Sequence, residues 1–207
     1  MRRANLVLAV AVCGFLTACR AVPLFGSPVS TPGQAPIELY SVDWWQQLVR
    51  AEPFESSPRE RAGPAFDRET RRVVVLSRDG FVRTFSHEGK LQWAFKTQGR
   101  FNASATLSEG VVYVPGGDGV LYALKLRDGE VLWKYDAKEE LGTAPVVEDG
   151  RVLVASMTDS LFVVEAKTGK WLWQYRRDSP SGFTIHGASR PTVSGGTIFI
   201  GFADGHL

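Results

Sequence analysis

Beyond residue 60 the apolar residues fall in short runs of four to six, and no helical period of 3.6 threads them. Val, Leu, Tyr and Trp dominate these runs, and Asp-Gly, Glu-Gly or Gly-Gly pairs separate them. That composition and punctuation predict short antiparallel strands joined by tight turns. The pattern also recurs. Trp93, Trp133 and Trp173 stand 40 residues apart, and Gly89, Gly129 and Gly169 each precede their Trp by four. Upstream of each pair lies an apolar run followed by a turn, at 73–80, 111–119 and 152–160, and a fourth copy lies at 197–205. In the second unit the expected strands are 104–107, 111–114, 120–126 and 131–135.

Four antiparallel strands in about 40 residues make one blade of a β-propeller. A single blade cannot bury both of its faces, so such units must stack around an axis. The fold expected is therefore all-β, a propeller of four-stranded antiparallel blades over residues 38–207. Large aromatics at a fixed place in each repeat read as core between units, and this assigns Trp93, Trp133 and Trp173 a structural role. Residues 40–48, with Trp44-Trp45, read as a last strand standing alone. Residues 197–207 read as a blade that stops inside its third strand.

The first 37 residues are of another kind. Arg2 and Arg3 form a basic start, and residues 6–16 form an apolar stretch too short to span a bilayer as a permanent helix. The string Leu16-Thr17-Ala18-Cys19 follows, and it resembles the lipobox of bacterial lipoproteins. That resemblance implies a signal peptide over 1–18, its removal, and a diacylated (palmitate-type) Cys19 as the new N-terminus. Lipid chains hold a protein at a membrane, each buried CH₂ contributing about 0.8 kcal/mol. Residues 19–37 contain Pro23, Pro28, Pro32 and Pro36 with Gly, Ser and Thr, and they read as a flexible tether. Extended at about 3.1 Å per residue, it reaches on the order of 50 Å.

Charge narrows the class further. Two of the 24 basic residues fall in the expected signal and none of the 22 acidic ones does, so the mature chain balances at zero. A neutral domain has no bulk electrostatic reason to bind nucleic acid. With Cys13 discarded and Cys19 acylated, no thiol remains for a disulfide or a metal site. His87, His186 and His206 lack paired ligand spacing. Gly116-Gly117-Asp118-Gly119 precedes a strand, whereas a phosphate cradle needs a helix N-terminus. Asp79, Asp118, Asp128, Asp149 and Asp204 each precede Gly and read as turn residues. No catalytic residue, metal ligand or small-molecule cofactor site is expected.

The 40-residue period and the Gly-x-x-x-Trp string resemble the blades of the quinoprotein-like (PQQ-like) propellers, over essentially residues 40–207. In that family the Trp docks between blades, and rings of eight blades are common. The resemblance implies that this sequence is the N-terminal part of an eight-bladed ring; counted literally, its parts could also close as four blades. Quinone-dependent dehydrogenases of the family stack their cofactor near adjacent cysteines, a pair this chain lacks.

One loop carries more. From Trp173 to Pro191 is 18 residues, where the matching stretch from Trp133 to Pro145 is 12. The insertion sets Phe183, Ile185 and His186 in an otherwise polar loop. Residues 178–191 resemble the corresponding loop of the lipoprotein family of the outer-membrane β-barrel assembly machinery. There an apolar-x-apolar-basic core contacts the periplasmic POTRA domains of BamA. The resemblance implies a non-catalytic scaffold on the periplasmic face of the outer membrane, with Phe183 and Ile185 in the apolar places. His186 stands where the best-known members carry Arg, so its charge depends on pH. Arg20 after the lipidated Cys, in place of Asp, fits outer-membrane sorting. The alternatives are a PQQ-like propeller lipoprotein with another envelope partner and a relative of the quinone-dependent dehydrogenases.

Overall fold

The computed structural model describes residues 41–49, 61–177, 187 and 189–207, and all the features below lie in the unit Val42–Leu207. Three four-stranded antiparallel sheets follow one another. The first holds β1 (Ala65–Asp67), β2 (Arg72–Ser77), β3 (Phe81–Phe85) and β4 (Leu91–Lys96) in that spatial order. The second repeats it with β5 (Thr106–Ser108), β6 (Val111–Pro115), β7 (Val120–Lys125) and β8 (Val131–Asp136). The third has β9 (Val146–Glu148), β10 (Arg151–Ala155), β11 (Ser160–Glu165) and β12 (Trp171–Arg176). A two-stranded sheet, β13 (Thr192–Ser194) with β14 (Thr197–Phe199), opens a fourth blade.

The second and third blades are buried on both faces because their middle strands are apolar on both. In β6 and β7, residues 112–115 and 121–124 are buried without alternation. Val112, Val114, Tyr122 and Leu124 pack against Val74, Leu76, Val82 and Trp93 of the first blade. Tyr113, Leu121, Ala123 and Trp133, on the opposite face, pack against Val152, Val154, Phe162 and Val164 of the third. Leu153, Leu161 and Val163 meet Ile200 at the next seam. The core is thus a series of seams rather than one centre.

Two local devices recur. The connections between first and second strands at Glu109-Gly110, Asp149-Gly150 and Gly195-Gly196 have positive φ at both residues, as a two-residue hairpin requires. The Asp-Gly pairs expected to do the same do so only at Asp149-Gly150. At Asp79, Asp118, Asp128 and Asp204 only the Gly is left-handed, and the Asp carboxylate instead accepts the N–H two residues on at 3.1–3.2 Å. The second device is a β-bulge in each fourth strand. Thr84 pairs with Trp93 and Phe85 with Leu91, leaving Gln92 over; Leu132 and Leu172 are the matching extra residues. A bulge one residue before the Trp re-aims it toward the following blade.

Candidate partner-binding surface

Cys19, Phe183, Ile185 and His186 lie outside the described residues. What is described is where the inserted loop leaves and rejoins the blades. β12 ends at Arg176, and the N–H of Arg177 donates to the carbonyl of Asp159 at 3.2 Å. The Arg177 guanidinium binds the Asp204 carboxylate, across to the fourth blade. On the returning side, Ser189 N–H donates to Gly201 O at 2.8 Å and Gly201 N–H to the Ser189 hydroxyl at 2.7 Å. Both feet are therefore tied to the same short stretch, residues 201–204.

The electrostatics of this end follow from those ties. Partial burial pushes the Asp204 carboxyl up, but the Arg177 hydrogen bond, the His206 backbone N–H and the His206 ring together hold it below the ordinary carboxylate range. Glu139 behaves alike: burial opposes its charge, yet Thr158 at 2.5 Å and Ser156 at 2.8 Å donate to Oε2, and its pKa is lowered. Arg176 stands 3.6 Å from Glu139 Oε1. Asn102 donates to Glu140 at 2.6 Å. Among the described residues, no three of His, Cys, Asp and Glu come together as metal ligands. This end offers charged and hydrogen-bonding groups held in place.

The three repeated Trp residues stand in two situations. Trp93 and Trp133 are 9% and 8% exposed, and their indole N–H groups donate to Leu126 O and Ala166 O, both at 2.9 Å. Each ring covers the next blade's left-handed glycine. A methyl on Gly129 would fall 2.6 Å from Trp93, and one on Gly169 2.5 Å from Trp133. Trp173 is 38% exposed. It lines a groove with Tyr175, Ile198, Phe199 and Leu207.

Sequence reasoning missed a third docked ring. Trp44 donates to His87 O at 2.8 Å, lies 5.9 Å from Phe85, and would meet a methyl on Gly89 at 2.7 Å. Of residues 40–48, expected as a strand, the described ones (41–48) carry no ladder; the indole alone repeats the geometry of β4 and β8. The pairing was hidden by spacing, since Trp44 and Gly89 are 45 residues apart where the other pairs are 36 apart.

No curated protein matches the chain by sequence. Among solved structures it is similar to BamB from Moraxella catarrhalis, with a TM-score of 0.59 and 19% identity over 70% of this chain and 44% of that one. It is similar to the computationally designed Ika8 protein, at 0.58 and 16% identity over 70% and 43%. A quinohemoprotein alcohol dehydrogenase from Pseudomonas putida HK5 follows at 0.50 and 22% identity over 56% and 20%. Likenesses of this degree carry the propeller fold. The chain spans less than half the length of the BamB structure it resembles. The family described as outer membrane protein assembly factor BamB matches residues 78–207, well over half of the sequence and three of its Gly-x-x-x-Trp units. The chain belongs to the BamB family.

Proposed function

We propose that this chain is a non-catalytic scaffold of the outer-membrane β-barrel assembly machinery. It binds the POTRA domains of BamA and so assists the folding and insertion of outer-membrane proteins. Phe183 and Ile185 supply the apolar contact and His186 the polar one. Cys19 carries the lipid that holds the protein at the periplasmic face of the outer membrane, and residues 20–37 give it reach. The observation that carries this reading is the family match over 78–207, which includes the inserted loop. The ties at Arg177 and Ser189 support it, because an interface loop on fixed feet loses less entropy on binding.

Calorimetry of the purified chain against purified BamA POTRA domains tests the assignment. Phe183→Ala or Ile185→Ala is expected to cost roughly 1–3 kcal/mol of binding, the range of moderate hot spots. That is about tenfold or more in Kd. His186→Ala should cost less near neutral pH, where an imidazole of ordinary pKa is mostly uncharged. Loop variants that stay folded by circular dichroism and bind like the parent would sink the contact.

A further inference from the structure

The seam between the first and second blades contains a guanidinium. Arg72 opens β2 and reaches across, its Nη1 donating to Leu126 O at 2.7 Å and to Arg127 O at 2.8 Å. Leu126 O is the same carbonyl that accepts the Trp93 indole. In the next seam the matching residues are Ala166, which accepts the Trp133 indole, and Lys167. Val111, the first residue of β6, stands in the place of Arg72 and has nothing to donate. Tyr113 points its hydroxyl at Ala166 O but stays 3.4 Å away, beyond a normal O–H···O bond. Lys167 O takes no hydrogen bond from any described residue. A groove of about 430 Å³ opens there, with Val111, Tyr113, Val147 and Ala166 as its floor. Glu109, Glu148 and Asp149 stand on its rim, without an ion pair among the described residues; Lys167 is the cation beside them.

We propose that this groove receives the side chain of an arginine presented by a partner protein. The first seam shows what fits: a guanidinium, one nitrogen of which donates to two consecutive carbonyls. The acidic rim supplies the complementary charge. A lysine ammonium is a compact, strongly hydrated point charge and loses more than the weakly hydrated guanidinium on leaving water for the groove. The groove lies at the turns joining first to second and third to fourth strands, whereas residues 178–186 connect a fourth strand to a first. The groove is thus at the other end of the blades from Arg177 and Ser189, and this docking is independent of the proposed loop contact.

The test is a titration of the isotope-labelled chain with acetyl-Gly-Arg-Gly-amide, followed by amide shifts in NMR. Saturable shifts at Gly150, Ala166 and Lys167 are expected, in the range of about 1 mM. The lysine peptide should bind about tenfold more weakly, equivalent to ~1.4 kcal/mol. Val111→Arg should fill the groove from within, as Arg72 does in the first seam, and abolish the shifts. The rim variant Glu148→Gln/Asp149→Asn should weaken them several-fold; it keeps the backbone undisturbed because Asn tolerates the left-handed φ of 47° at 149, and it decides the matter if Val111→Arg does not fold. Absence of shifts, equal response to the lysine peptide, or full binding by the rim variant overturns the proposal.

Discussion

The indole of Trp93 lies over Gly129, so close that the glycine has no room for a side chain. Two constraints meet at that glycine. Its φ of 78° is left-handed, and a methyl would sit 2.6 Å from the ring. Gly110 separates the two effects, since its φ is 73° but nothing stands within 4 Å of a methyl there.

Gly110→Ala should therefore cost only backbone strain, roughly 1–2 kcal/mol. Gly129→Ala adds overpacking of about 1–3 kcal/mol. Urea denaturation of both variants measures the difference. Equal losses would mean that the docked ring yields without cost.

The docked rings should also differ among themselves. Trp133→Ala empties a buried seam and should cost about 3–5 kcal/mol. Trp44→Ala removes a half-buried ring held by one hydrogen bond and one aromatic neighbour, and about 1–2 kcal/mol is expected. Thermal midpoints of the two variants, compared with the parent, check the order.

Much of this architecture was legible in the sequence, because a propeller blade is local. In the second blade the strands expected at 111–114 and 131–135 form as Val111–Pro115 and Val131–Asp136. The first strand was placed two residues early, since Ser104 and Ala105 read as strand although their backbone joins no ladder. What escaped depends on contacts distant in sequence. Arg72 has no local sign of a partner until Leu126 and Arg127 are seen opposite it, 54 and 55 residues on. Asp204 reads as a turn residue, and its second tie, to Arg177 across the foot of the inserted loop, has no local signature. The loop residues Phe183, Ile185 and His186 rest on resemblance, so their roles stand as a proposal.

Lipidation is the next test. If Cys19 is the acylated residue, cells expressing the parent chain and fed radiolabelled palmitate should yield a labelled band. Cys19→Ser should yield none, with the product unprocessed or released from the membrane. Equal label in both would place the lipid elsewhere or nowhere.

The last prediction concerns acid stability. The Glu139 carboxylate is mostly buried, with 17% of its side chain exposed. Burial alone would favour the neutral form. The hydroxyls of Thr158 and Ser156 and the nearby Arg176 outweigh it and set the folded pKa below the ordinary glutamate value. A carboxyl depressed on folding contributes stability that is fully present above its unfolded pKa of about 4.3 and is lost as pH falls through the folded value. Glu139→Gln keeps the shape and removes that linkage. At pH 7 the variant should be less stable by about 1 kcal/mol, the ordinary worth of such hydrogen bonds. The gap should hold down to about pH 5 and close below about pH 4. Asp79 and Asp204, also depressed, keep an acid limb in both proteins, so the variant's limb is shallower but present. Thermal unfolding of parent and variant between pH 3 and pH 7 reads the gap directly. A gap that stays constant across this range would show that the Glu139 carboxylate is no better held in the folded chain than in the unfolded one.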